Sequence, residues 1–118
     1  MIRRFAAQYI YFSEKLYFHH VVEMNRNDQN ICIFPLEKEY AATEFYNGII
    51  AVLSDKADPL LLEKQITSRR GEKIPDFFAS LNMEETMSSG KNVQLLLFEN
   101  IDFEQMQFSS DTLITKLL

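Results

Sequence analysis

Glu44-Phe45-Tyr46-Asn47-Gly48-Ile49-Ile50-Ala51-Val52-Leu53 is the stretch on which the rest of the chain is organised. The apolar run from Ile49 to Leu53 reads as a central strand, and Asn47-Gly48 before it reads as a tight turn. The segment after it, Ser54-Asp55-Lys56-Ala57-Asp58-Pro59, reads as the start of a helix. Asp is a good N-cap, and proline suits the first helical position because its missing N–H would be unpaired there anyway.

Outward from that core, the chain before residue 44 carries the alternation of strands. Residues 2–12 predict a first strand with Phe5, Ala7, Tyr9 and Tyr11 on one face and Ala6, Gln8, Ile10 and Phe12 on the other. Both faces are largely apolar, so the strand is expected to be covered on both sides. Ser13-Glu14-Lys15 is a short polar connection, and residues 16–24 form a second strand with Leu16, Phe18, His20, Val22 and Met24 on one face. Asn25 to Asn30 is a turn by composition. Ile31-Cys32-Ile33-Phe34 is a third strand ended by Pro35, which donates nothing to a ladder. Residues 36–43 read as a loop with room for a short edge strand.

After the central strand the period changes. A helix is predicted over about 59–70, with Leu60, Leu61, Leu62 and Ile66 as its apolar stripe. Arg69 and Arg70 suit its negative end, and Gly71 follows as C′. A second, shorter helix is predicted over about 75–83, with Phe77, Phe78 and Leu81 inward. Residues 83–91 read as a loop, Val93 to Phe98 as a buried strand and residues 102–111 as a connection, with residues 112–118 the closing strand. Strands, two helices and strands again give a single α+β domain over 1–118. Its fold is a small β-sandwich or mixed sheet built from N- and C-terminal strands, with the two helices inserted between them.

Composition narrows the partners. The 118 residues carry a net charge of −5, which speaks against a nucleic-acid or anionic-membrane surface. More than half of the ten Phe and five Tyr lie before residue 41, and there is no Trp. Cys32 is the only cysteine, so neither an intramolecular disulfide nor a thiolate metal cluster can form, and a cytoplasmic setting is the simplest expectation. Residues 3–12 do not read as a secretory signal, because Gln8 interrupts a short apolar run and Glu14-Lys15 follows. No apolar run approaches the roughly 20 residues of a membrane-spanning helix.

The opening Arg3-Arg4-Phe5-Ala6-Ala7-Gln8-Tyr9-Ile10 and the run Glu44 to Ile50 resemble the first strands of the amidohydrolase superfamily, in its chlorohydrolase and deaminase branch. Ile74-Pro75 with Phe77, Phe78 and Leu81 is similar to that family's last helix. Ser89-Gly90-Lys91 with Val93 to Phe98, and Asp111 to Leu118, are similar to its closing sandwich strands. The resemblance implies a composite β-sandwich made from both termini. The family pattern departs at Val52-Leu53, where a Pro-Gly step and a His-x-His metal motif would lead into the barrel. Neither is present, and the chain has no room for a barrel. The resemblance therefore implies the sandwich without the enzyme: no catalytic residues, no metal ligands and no cofactor. It further implies apolar surface freed by the missing barrel, which suits a homodimer or another protein partner, with an accessory subunit of a separate hydrolase as an alternative.

Individual residues add little to that expectation. His19 and His20 are adjacent, so on a strand they face opposite sides and cannot chelate one ion together; strand histidines at a sheet rim are the plainer reading. Cys32 between two isoleucines reads as a small buried packing residue. Asp55 and Asp58 resemble a carboxylate pair, but capping accounts for Asp58. Ser88-Ser89-Gly90-Lys91 lacks phosphate-loop spacing and reads as a turn. Met83, Met87 and Met106 read as core filling, with a binding surface as the other reading. A ligand-binding alternative predicts a pocket near His19, His20 or Tyr46, and it is disfavoured if Phe77 and Phe78 fill the vacated face.

Overall fold

The computed structural model describes residues 2–25, 27, 30–69, 71–81 and 92–118. Seven strands form one mixed sheet: β1 (Ile2–Phe12), β2 (Lys15–Asn25), β3 (Asn30–Pro35), β4 (Thr43–Phe45), β5 (Ile49–Ser54), β6 (Val93–Asp102) and β7 (Gln107–Lys116). Their order is β3-β2-β1-β5-β6-β7, with β4 beside β1. Helices α1 (Pro59–Ser68) and α2 (Ile74–Ala79) join β5 to β6. The expected central strand is therefore present. Ile49 to Leu53 are all fully buried, with β1 parallel on one side and β6 antiparallel on the other.

The strands at the two ends of the chain share the sheet but are not paired with each other, because β5 lies between β1 and β6. The predicted connection over 102–111 is shorter than expected. β6 runs on to Asp102, and β7 begins at Gln107.

The alternation read for β1 and β2 breaks at their middle. Phe5 and Ala7 belong to the same core cluster as Ile10 and Phe12, while Tyr9 and Tyr11 belong to the other. On β2, Val22 and Tyr17 share a cluster that excludes Leu16. The skip falls at Gln8 and, across from it, at His19, which sits at φ +52°. A non-glycine residue there is uncommon and re-aims everything beyond it. With no helix on that side among the described residues, the first half of β1 with β2 and β3 supplies cover for β5 and β6.

Asn47-Gly48 is a second irregularity, and not the hairpin-like turn expected. β4 and β5 lie end to end along the same edge of β1, with Ala6 opposite Phe45 and Tyr9 opposite Ile49. Three residues, Tyr46 to Gly48, face two on β1, so this is a bulge. Gln8 holds it: its Oε1 accepts from Gly48 N–H, and its Nε2 donates to Asn47 Oδ1 at 2.6 Å. Glycine is required for space. A Cβ at position 48 would lie 2.2 Å from the Phe98 carbonyl oxygen.

Helix α1 starts as predicted, with Asp58 Oδ1 accepting from Leu60 N–H at 3.0 Å and Pro59 in the first turn. Its stripe is narrower than expected. Leu62 and Ile66, one turn apart, are buried, whereas Leu60 is 69% and Leu61 48% exposed. Glu63 Oε1 accepts from Ile114 N–H at 3.3 Å, which ties α1 to β7. Gly71 takes φ +85°. α2 is shorter than predicted and ends at Ala79, where Ser80 caps it; residues 82 and 83 lie outside the described residues. Its Ile74, Phe77 and Phe78 are buried. Gln94, in the middle of an apolar run, is one of two buried polar side chains among the described residues. Its Nε2 donates to Ser54 O at 2.9 Å and Ala57 O at 2.7 Å, fixing the passage from β5 to α1.

Candidate functional site

The skip at Gln8 and His19 decides which rings reach the helix side of the sheet. Tyr9 and Phe18 are paired across β1 and β2, and their rings lie 5.2 Å apart. Tyr9 stacks on Phe103 from the β6–β7 turn at 6.0 Å, and Phe18 stacks on His19 at 3.8 Å. The result is a row of four rings, His19, Phe18, Tyr9 and Phe103, running across the sheet. Phe18 is 56% exposed and His19 is exposed, while Tyr9 and Phe103 are half-buried. Helices α1 and α2 shield the other part of this face, where Phe77, Phe78, Phe98 and Phe108 pack edge to face.

Between the β1–β2 turn and α2 lies a cleft of about 350 Å³ lined by Tyr11, Glu14, Leu16, Pro75, Phe78, Ala79 and Leu81. Its wall is the parallel stack of Tyr11 on Phe78, centroids 4.3 Å apart. Ser13 and Glu14 both have positive φ, which makes the hairpin tight. Burial pushes the Tyr11 phenol up from its ordinary value, and the Glu14 carboxylate pushes it further the same way. A shallower groove on the outer side of α1 is lined by Leu60, Glu63, Lys64, Thr67 and Ser68.

Two charged clusters occupy the first half of β1, one on each face. Arg3 Nη2 donates to Glu44 Oε2 at 2.7 Å, Tyr46 donates to Glu44 Oε1 at 3.0 Å, and the Arg3 guanidinium lies 4.8 Å over the Phe5 ring. The hydrogen bond from Arg3 holds the Glu44 carboxyl below its ordinary range, against a smaller opposing effect of burial. On the other face, Arg4 pairs with Glu23 at 2.8 Å and donates to the Ala41 carbonyl, which holds the loop over 36–42 in place.

The residues singled out in the sequence are scattered. His19 sits on the Phe18 ring; His20 lies against Tyr17, with Nδ1 2.8 Å from the Phe18 carbonyl oxygen. Cys32 was expected to be buried and is exposed. It lies on an edge strand, and the alternation that turns Ile31 and Ile33 inward turns Cys32 out. Its sulfur is nonetheless partly sheltered and 3.5 Å from Glu23 Oε2; burial first, then that carboxylate, raises the thiol from its ordinary value. Asp55 is exposed, Asp58 is a cap, and Met106 packs beside the helix-side core. Met83, Met87 and residues 88–91 lie outside the described residues. Phe77 and Phe78 do fill the face between helices and sheet, and the cleft is lined by none of His19, His20 and Tyr46. Among the described residues no group of three His, Cys, Asp or Glu side chains is placed to hold a metal ion.

The aromatic row and the Glu14 cleft are what sequence reasoning missed. Their residues come from separate windows of the chain, and the only local hints were Gln8 inside an apolar run and the Phe18-His19 pair. No family model matches the chain, and no curated protein or solved structure matches it. No helix among the described residues is long and apolar enough to cross a membrane.

Proposed function

We propose that this chain is a non-catalytic domain that acts by protein–protein contact, with self-association as its first form. The observation that carries the reading is the aromatic row of His19, Phe18, Tyr9 and Phe103, left open on a sheet face whose remainder is sealed by α1 and α2. A contiguous aromatic surface of this kind costs free energy in water and is usually covered by a partner. A two-fold contact that brings the row onto itself would bury the Phe18 ring of both copies. An origin in the amidohydrolase composite sandwich accords with this reading, because that ancestry implies apolar surface freed by the missing barrel. That relationship rests on the sequence motifs quoted above.

The test is light scattering on the purified chain over a concentration series, with Phe18→Ser beside the parent. Association that weakens at least tenfold in Phe18→Ser, and is unchanged in Leu60→Ser on the outer side of α1, is the expected result. A monomer at every concentration, or a dimer indifferent to Phe18→Ser, would refute it.

A further inference from the structure

The cleft beside α2 has a composition that selects for charge. Its floor and walls are apolar or aromatic: Tyr11, Leu16, Pro75, Phe78, Ala79 and Leu81. The one formal charge among its lining residues is the Glu14 carboxylate. Among the described residues Glu14 has no ion pair, and no basic side chain lines the cleft to neutralise it. Two carboxylates beside β1 are occupied: Glu44 by Arg3 and Tyr46, Glu23 by Arg4. The negative field of Glu14 reaches the Tyr11 phenol, since it adds to the upward shift that burial gives that group.

We propose that this cleft binds a small organic cation, an amine whose ammonium group meets the Glu14 carboxylate and whose apolar body lies among Leu16, Pro75, Ala79 and Leu81. The volume of about 350 Å³ is at the small end for a ligand site, so it suits a single ring or a short branched chain. One physical effect favours the cation over a neutral body of the same shape: the Glu14 carboxylate at the rim, which has no ion pair among the described residues. An anion of the same size meets repulsion from it. This inference does not rest on self-association, since none of the four rings of the aromatic row lines the cleft.

The test is an amide-resolved NMR titration of the full chain with three matched probes: phenethylamine, phenethyl alcohol and phenylacetate. The amine is expected to bind with a dissociation constant on the order of 1 mM, as suits so small a ligand. The alcohol should bind several-fold more weakly and phenylacetate weakest. Shifted amides should fall within 11–16 and 76–81. Glu14→Gln should weaken the amine about fivefold and leave the alcohol unchanged. Ala79→Trp, which fills the cleft from an exposed position on α2, should abolish binding of both while leaving the melting temperature unaltered. Equal affinity for the amine and phenylacetate would overturn the proposal. So would shifts centred elsewhere, an amine affinity indifferent to Glu14→Gln, or no response at all to the amine. Phe18→Ser is expected to retain amine binding, which separates this outcome from the fate of the aromatic row.

Discussion

Gly48→Ala is the sharpest perturbation the structure offers, because a single methyl group meets backbone. An ideal Cβ at position 48 would sit 2.2 Å from the Phe98 carbonyl oxygen and 3.2 Å from its carbon, where ordinary contact begins at 3.4 Å. The carbonyl cannot swing aside. Phe98 is fully buried, and β6 is hydrogen-bonded to β5 on one side and β7 on the other. Relief therefore needs the two central strands to part by about an ångström, which places the cost at or above the upper end of the about 1–3 kcal/mol of an overpacked core. The alanine gains back about 0.4–1 kcal/mol by restricting the unfolded chain. A net loss of about 3 kcal/mol remains, or roughly 12 °C in melting temperature for a chain of this size. Gly71→Ala is the control. Its φ of +85° strains any side chain, but a Cβ there meets nothing within 4 Å, so about 1 kcal/mol is expected. Urea and thermal denaturation of the two variants measure the difference. If Gly48→Ala costs no more than Gly71→Ala, the close-approach argument is wrong.

Three further outcomes are expected. Gln94→Leu removes both hydrogen bonds to the Ser54 and Ala57 carbonyls inside the core; it should cost about 2 kcal/mol in urea unfolding, and a variant as stable as the parent would show that the clip is idle. Asp58→Ala deletes the α1 cap and should cost about 1 kcal/mol, with Asp58→Asn recovering most of it. Glu44→Gln tests the charge cluster on β1 through pH. The folded carboxyl is depressed, so its contribution is present above the ordinary carboxylate value of 4.5 and is lost as pH falls through the folded value. Because the Glu44 side chain is 41% exposed, the effect should stay near 0.5 kcal/mol and fade in salt. A melting curve whose acid limb is equally steep in Glu44→Gln would count against it.

Local chemistry made most of the elements legible. The Asp58-Pro59 pair starts α1 where it was expected, Pro35 ends β3, and the five-residue apolar core of β5 is buried on both faces. What could not be read was set by contacts far apart in the chain. Asn47-Gly48 carries the usual signature of a turn, yet glycine is there because Phe98, fifty residues on, approaches too closely for a side chain. The period-two reading of β1 fails at Gln8 because its side chain serves the bulge and His19 opposite it adopts a left-handed backbone, and neither requirement leaves a pattern in a short window. Leu60 and Leu61 look like stripe residues until the helix is docked by Leu62 and Ile66. The candidate site was hidden for the same reason. Its rings come from positions 9, 18, 19 and 103, and its cleft from a hairpin turn and a helix some sixty residues apart.

The contact between Glu63 and Ile114 N–H bears on how the protein behaves when crowded. A terminal strand such as β7 is a template on which another chain can add in register, and repeated addition gives fibres. Here one acceptor of a ten-residue helix occupies a donor on that template. The opposite rim, β3, is six residues long and stops at Pro35. In the self-association proposed above, the sticky surface lies on a sheet face, where two copies would satisfy each other, and not on the rims, where addition would continue. Unwinding of α1 would release the Ile114 donor and open the β7 rim to strand addition.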